Sequence, residues 1–279
     1  MHRSIRCAVA AVLVLAATLL GQDPPPKKLG LPPGLGVGQP LVLLAGGIAT
    51  LQVPPGMKFL DIAATARIRE GIWGNAPDAT VQGMLVKDGF DPQAEGRFGV
   101  TVHWQPIGYV DAAEWQNLDA EALLAAWRGQ VEAGNAERRT RGEAPVEILG
   151  MAAPPRSDAA KSTATWAKRY RIGQDELIAY ESRAFGRNGV FVFKATGTKD
   201  QLAELAAASE LVVSRLSFQT GQRYADVAPS DPRGRLEIAT GIAKGVWEQL
   251  PTFQRILLIV LALSALLGLV RLIARLFGR

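Results

Sequence analysis

Histidine and cysteine, which carry much of the acid-base and metal chemistry of proteins, are almost absent from this chain of 279 residues. The two histidines are His2 and His103, and the one cysteine is Cys7. An imidazole general acid or base would therefore have to be His103, with Asp111 or Glu114 as the carboxylate that orients it. The spacing of these residues matches no metal-binding, disulfide or cofactor motif, so we predict neither a metal nor a cofactor.

Basic side chains are concentrated on adjacent predicted strands and the turn that joins two of them. They are Lys168, Arg169, Arg171, Arg183 and Arg187. Such a group could surround an anionic ligand. However, Asp175, Glu176 and Glu181 lie in the same predicted hairpins, and pairing across the strands is the favoured interpretation.

Acidic side chains follow the segment Gly108-Tyr109-Val110, and they include Asp111, Glu114, Asp119 and Glu121. The Asp-x-x-Glu spacing is typical of a helix start, so capping is favoured over a catalytic role. Taken with the basic group, this leaves Arg183, Arg187, Tyr109 and Asp111 as candidate binding residues. No catalytic residue is predicted among them.

Hydrophobic periodicity predicts an α+β fold. The predicted strands are 41–44, 48–53, 100–104, 146–149, 166–172, 177–185 and 190–195, and the predicted helices are 61–70, one opening at Asp119, one opening at the capping box Thr198-x-x-Gln201, and 233–247. Val190-Phe191-Val192-Phe193 is apolar on both faces, which indicates a central strand covered on both sides. We therefore predict an antiparallel sheet covered by helices, similar to an α/β/α sandwich, with His103 half-exposed on a strand.

The two ends of the chain predict export and membrane anchoring. Residues 1–22 combine Arg3 and Arg6 with an apolar run and are typical of a signal peptide or an uncleaved signal anchor; residues 23–40 form a Pro/Gly-rich linker. Residues 254–277 are long and apolar enough for one transmembrane helix, and basic residues follow the uncharged run. Because basic flanks stay cytoplasmic, we expect a single-pass inner-membrane protein whose body, 41–250, lies outside the cytoplasm, with its C-terminus inside.

The distribution of charge argues against nucleic-acid binding. The net charge is +5, yet residues 41–250 carry 23 Lys/Arg and 25 Asp/Glu. The basic excess therefore comes from the two ends of the chain, and the body lacks the electrostatic footprint that a nucleic-acid partner needs. The predicted partners are the lipid bilayer, through 254–277, and an envelope or membrane protein.

Several short blocks occur in a characteristic order. They are Gly108-Tyr109-Val110-Asp111, Leu123-Leu124, Gly134-Asn135-Ala136-Glu137-Arg138 with Gly142, Trp166-Ala167, Tyr180-x-x-Arg183, Phe185-Gly186-Arg187-x-Gly189-Val190, Gly221-x-x-Tyr224-x-Asp226 and Asp231. In order and spacing the chain resembles the domain of unknown function 2167 family of membrane-anchored bacterial proteins, from about Gln39 to Gly245. The resemblance implies an anchored exported domain and brings no reaction, substrate or catalytic residue.

Two functions remain open at this point. The first is a tethered extracytoplasmic domain that binds a protein partner or envelope component without catalysis, with Arg183 and Arg187 as the surface to test first. The alternative is an envelope hydrolase or transferase that uses His103 with a nearby carboxylate. Oligomerisation through Ser264 and Gly268 in the predicted span is a further possibility.

Overall fold

The computed structural model describes residues 41–236. The predicted signal segment, the linker and the predicted membrane span 254–277 lie outside the described residues, as does most of the helix predicted over 233–247. Within 41–236, no helix is both long and apolar enough to cross a membrane.

The described residues form an α+β fold, as predicted. The strands are β1 (Leu41–Leu44), β2 (Ala49–Gln52), β3 (Met57–Leu60), β4 (Val81–Lys87), β5 (Val100–Gln105), β6 (Tyr109–Val110), β7 (Val146–Asp158), β8 (Thr163–Ile172), β9 (Asp175–Phe185), β10 (Val190–Thr198), β11 (Leu216–Phe218) and β12 (Arg233–Gly234). The α-helices are α1 (Ile62–Arg69), α2 (Ala112–Gln116), α3 (Ala120–Thr140) and α4 (Leu202–Val213).

The main sheet is antiparallel and has seven strands in the order β3-β4-β5-β10-β9-β8-β7. The prediction that Val190–Phe193 belongs to a central strand is confirmed, because β10 occupies the middle of this order. A smaller antiparallel sheet has the order β1-β2-β11, and β6 pairs in parallel with β12.

Side-chain alternation along β10 creates two cores, one on each face of the main sheet. Phe191 and Phe193 are fully buried in the first core, which α4 and the smaller sheet complete. Val190 and Val192 are fully buried in the second core, which α2 and α3 complete. Burial of each such side chain contributes about 1.5–3 kcal/mol, so both faces of this strand stabilise the fold.

Three predicted helix starts are confirmed by their caps. The carboxylates of Asp61 and Asp119 each accept a 2.7 Å hydrogen bond, from the backbone N–H groups of Ala64 and Ala122. In the capping box before α4, the backbone N–H of Thr198 donates to Gln201 Oε1 at 3.0 Å.

Two parts of the predicted fold need correction. Residues 233–236 do not begin a helix, because the backbone N–H of Tyr109 donates to Pro232 O at 2.9 Å and β12 pairs with β6. The strands β3, β6 and β11 were not predicted from the sequence, and neither was β4. Gly83 lies at a register shift there with φ of 150°, and this irregularity breaks the alternation that marks a strand.

Candidate functional site

One face of the main sheet changes from apolar to polar along β10. Val190 and Val192 are buried among apolar side chains, whereas the next residues on the same face are Lys194 and Thr196. Lys194 lies in register between Thr101 of β5 and Glu181 of β9. Because directly paired residues share a face, the strands bring these three polar side chains together.

His103 lies in this polar region and is 2% exposed, so its predicted half-exposure is wrong. Its strand, β5, is an inner strand between β4 and β10, and both neighbours cover it. The Nδ1 atom lies 3.2 Å from Asp78 Oδ2 and 3.0 Å from Thr80 Oγ1, and Nε2 lies 3.1 Å from Thr101 Oγ1.

The carboxylate beside His103 is therefore Asp78, and the predicted pairing with Asp111 or Glu114 is wrong. Asp111 instead lies 3.2 Å from Arg233 Nη1, and Glu114 Oε2 accepts a 2.8 Å hydrogen bond from Leu236 N–H. Both carboxylates follow β6, whereas Asp78 lies in the loop that leads into β4, beside β5.

Burial sets the protonation of this pair. Burial disfavours the imidazolium and lowers the pKa of His103 to about 4. The hydrogen bond from His103 holds the pKa of Asp78 well below its usual range. At neutral pH a neutral imidazole thus donates from Nδ1 to an ionised carboxylate, which leaves Nε2 unprotonated and facing Thr101 Oγ1 at 3.1 Å.

Arg183 lies deeper on the same face. Its Nε atom is 2.7 Å from Glu181 Oε1, its guanidinium is 5.2 Å from the ring centre of Trp166, and its side chain is 5% exposed. The Nη1 atom is buried without a hydrogen-bond partner in the described part of the chain. Arg183 is therefore held by its neighbours on one side and has a free donor on the other.

Glu181 is the carboxylate shared by the cations of this face. Burial opposes its ionisation, but Arg183, Lys194 and Lys168 outweigh that effect and lower the pKa of Glu181 to about 2. The ammonium of Lys168 lies 5.0 Å from the ring centre of Trp127 on α3, and burial lowers its pKa.

A cleft of about 570 Å³ opens onto this polar face. Its walls come from the end of α1 and the loop that follows, the loop before β5, and the ends of β8, β9 and β10. The charged, aromatic and imidazole side chains that decide its chemistry are Arg69, Trp73, Asp78, Arg97, His103, Tyr170 and Lys194. We refer to this space as the polar cleft.

A second recess, of about 440 Å³, lies beside the smaller sheet. Its lining includes Leu41, Gln52 and Arg215, which are exposed surface side chains. The polar cleft is the better candidate because Thr101 and His103 on its floor are buried polar groups held in a defined geometry.

The other predicted binding residues lie in a different cluster. Arg187 forms a two-point ion pair with Asp231, at 2.7 and 2.8 Å. Tyr109 stacks on Tyr224 with ring centres 4.5 Å apart. Arg233 lies over the Tyr109 ring and also contacts Asp111, so Tyr109, Asp111 and Arg187 are all engaged with the segment 221–234. Arg183 shares none of these contacts.

The predicted cross-strand pairing is confirmed for Arg169, which lies 3.3 Å from Glu176 of β9. Arg171 lies 2.9 Å from Glu147 of β7, a carboxylate outside the predicted set. Of the five basic residues considered from the sequence, Lys168 and Arg183 surround Glu181, while Arg169, Arg171 and Arg187 have other carboxylate partners.

Apart from His103, sequence reasoning missed the residues that define the polar cleft. Lys194 offered a signal, since it is a cation inside the apolar run of the central strand. Asp78 and Arg69 offered none, because they reach the cleft only through the packing of α1 and its loop beside β5. Within residues 41–236 there is no group of three or more His, Cys, Asp or Glu that could hold a metal ion.

The family model described as "Protein of unknown function (DUF2167)" matches residues 37–273. The chain belongs to this family. In this DUF2167 member, three of the blocks that carry the resemblance meet at one end of the main sheet: Gly186 bridges Arg223, the N–H of Arg187 donates to Gln222 O, and Tyr224 stacks on Tyr109. Much of the family pattern thus describes how 221–234 packs against the sheet.

Solved structures similar to this DUF2167 chain are distant. The cyanobacterial PsbP protein of Synechocystis sp. PCC 6803 has 13% identity and a TM-score of 0.39, with 72% of this chain and 99% of that chain covered. LpqN of Mycobacterium tuberculosis, involved in cell envelope biogenesis, has 12% identity and a TM-score of 0.33, with 61% and 83% covered. The Ran-binding protein Mog1p of Saccharomyces cerevisiae has 14% identity and a TM-score of 0.31, with 64% and 94% covered. No curated protein matches the chain significantly.

Proposed function

We propose that this protein is a membrane-tethered extracytoplasmic binding domain, and that the polar cleft receives its ligand or a projecting group of an envelope partner. The tether and the location rest on the sequence of residues 1–22 and 254–277. The binding role rests on one observation, the buried polar floor of the cleft at the centre of the main sheet.

This floor is unfavourable for stability alone. A buried charge or polar group costs free energy unless it is well paired, and apolar residues of similar volume are often neutral or stabilising in its place. His103 and Thr101 are nevertheless buried there, and the central strand carries the half-buried Lys194 on the face that Val190 and Val192 fill with apolar side chains. A polar floor beneath an open cleft is the arrangement expected of a site that recognises a ligand.

A cleft-filling substitution tests this proposal. Thr196 is exposed and lines the cleft, so Thr196→Trp adds bulk there without entering a core. Ala207→Trp on the exposed face of α4 is the matched control, because α4 packs on the opposite face of the sheet. The measurement is purification from native membranes in mild detergent, followed by mass spectrometry of the retained proteins and small molecules.

We expect Thr196→Trp to lose a component that the wild type and Ala207→Trp retain. An identical set of retained components in all three preparations would exclude the cleft as the binding site.

A second candidate function is supported by the line of contacts from Asp78 through His103 to Thr101. A carboxylate, an imidazole and a hydroxyl in this order are the parts of a nucleophilic relay for acyl transfer. Binding is favoured over catalysis because Thr101 is 8% exposed and its hydroxyl also lies 3.0 Å from Lys194 O, as a donor to that carbonyl.

Hydrolysis of an activated ester would separate the two functions. If the wild type hydrolyses the ester and both Thr101→Val and Asp78→Asn abolish this turnover, the protein is an enzyme that uses these residues. Absence of turnover over background, in a preparation that still retains its bound component, would support the binding domain.

A further inference from the structure

The polar cleft carries uncompensated positive charge. Its lining contains three cations, Arg69, Arg97 and Lys194, and one carboxylate, Asp78. Asp78 is already bound by His103 and by the Thr80 hydroxyl, which donates to it at 2.6 Å. Within residues 41–236, none of the three cations forms a direct ion pair with a carboxylate.

The layer beneath the cleft does not correct this imbalance. Glu181 is the carboxylate there, and it is bound directly by Arg183 at 2.7 Å. Lys168 and Lys194 act on the same carboxylate from farther away. One negative charge is thus shared among three positive charges, and the excess lies beside the cleft floor.

Lys194 is placed to use this excess. It stands on the rigid central strand, between Thr101 and Glu181 in register, and it lines the cleft. Arg69 and Arg97 approach from the end of α1 and from the loop before β5, on the cleft walls. A floor ammonium and two wall guanidinium groups that line the same space are a donor set suited to a phosphate or a carboxylate.

We propose that the polar cleft binds an anionic group, a phosphate or a carboxylate, and that Lys194 on the floor with Arg69 and Arg97 on the walls recognises it. This inference rests on the proposed binding function and names the chemistry of its ligand. The cleft volume of about 570 Å³ suits a small organic anion or a lipid headgroup. Trp73 and Tyr170 add aromatic surface for the uncharged part of such a ligand.

The test measures binding to the full chain in zwitterionic detergent by isothermal titration calorimetry. The probes are inorganic pyrophosphate, citrate and dihexanoyl phosphatidylglycerol, with dihexanoyl phosphatidylcholine as the zwitterionic control. Binding of pyrophosphate or citrate indicates a soluble anion, and selective binding of phosphatidylglycerol indicates a headgroup. We expect at least one anionic probe to bind, with affinity that falls as ionic strength rises.

The variants are Lys194→Met, which removes the charge and keeps most of the length of the side chain, and Arg69→Glu, which reverses a wall charge. Arg67→Glu is the matched control, since Arg67 is exposed in the same last turn of α1 and does not line the cleft. We expect Lys194→Met and Arg69→Glu to weaken binding by about tenfold or more, and Arg67→Glu to leave it unchanged.

The inference is overturned if none of the anionic probes binds at concentrations up to about 10 mM. It is also overturned if Arg67→Glu weakens binding as much as Arg69→Glu does. Failure of the anion inference is distinguishable from failure of the proposed function. A component retained from native membranes that is lost in Thr196→Trp but kept in Lys194→Met and Arg69→Glu would show a binding cleft whose ligand is not an anion.

Discussion

Asp78 and His103 form a carboxylate-imidazole pair in which the imidazole is buried and the carboxylate is partly exposed, with Oδ2 and Nδ1 3.2 Å apart. They belong to the loop before β4 and to β5, and the ring is 2% exposed. This contact fixes the orientation of the imidazole toward Thr101, whichever of the two candidate functions is correct.

The first prediction concerns acid stability. The pKa of His103 is about 4 in the folded protein and 6.5 in the unfolded chain. As the pH falls, the imidazole of the unfolded chain therefore becomes protonated before that of the folded protein. The contribution of His103 to the free energy of unfolding is therefore fully present above pH 6.5. It is lost progressively between pH 6.5 and pH 4, by up to about 3 kcal/mol. In His103→Gln this loss should be much smaller. Urea unfolding at several pH values, followed by tryptophan fluorescence, checks it; equal pH dependence in both proteins would refute the assignment.

The second prediction concerns the buried ion pair of Glu181. Glu181→Gln leaves Arg183, which is 5% exposed, without its charged partner. We expect the free energy of unfolding to fall by about 3–5 kcal/mol. The control is Glu176→Gln, which removes the more exposed pair with Arg169 and should cost less than about 1 kcal/mol. Similar losses in the two variants would contradict the difference in burial.

The third prediction concerns Arg187, a candidate binding residue from the sequence. Its two-point contact with Asp231 ties the β9–β10 turn to the segment 221–234. Arg187→Ala should increase amide hydrogen exchange in 221–234, whereas Arg223→Ala, which removes a more exposed pair with Asp226, should change it less.

The same variants address partner binding. Partner capture that is lost in Arg187→Ala, with exchange in 221–234 unchanged, would show a direct contact with the partner. Capture that persists in the double variant Arg183→Ala/Arg187→Ala would remove both residues from the binding surface.

The fourth prediction uses two glycines with opposite surroundings. Gly83 has φ of 150°, and a Cβ there would lie 2.2 Å from Phe59 Cζ, so Gly83→Ala should destabilise the protein by about 1–3 kcal/mol. Gly129 lies near the middle of α3 on its solvent-exposed face, and no heavy atom lies within 4 Å of the position that a Cβ would take. Gly129→Ala should stabilise the protein by about 0.5–1 kcal/mol. Thermal unfolding of both variants measures the contrast, and a shift of the same sign in both would contradict it.

Local sequence signals predicted much of the fold. The apolar run Val190–Phe193 indicated the central strand, and Asp119 and the Thr198 capping box located the starts of α3 and α4, because these features depend on neighbours along the chain. The strand β4 escaped prediction because Gly83 interrupts its alternation.

The candidate site was less accessible to sequence reasoning. Asp111 and Glu114 are closer to His103 in sequence, yet Asp78 is its partner, since sheet order and not chain distance decides which side chains meet. The charge of Lys194 was visible in the sequence, but its role depends on Thr101 and Glu181, which come from two other strands.

The short pairing of β12 with β6 has a mechanical consequence. The described part of the chain ends at Leu236, whose backbone N–H donates to Glu114 at 2.8 Å, shortly after the two-residue pairing of Arg233 and Gly234 with Tyr109 and Val110. A force applied to the domain through the following residues would load these few bonds and the Arg187–Asp231 contact before it reached the seven-stranded sheet. The 221–234 segment would then detach first, while both cores and the polar cleft stay folded.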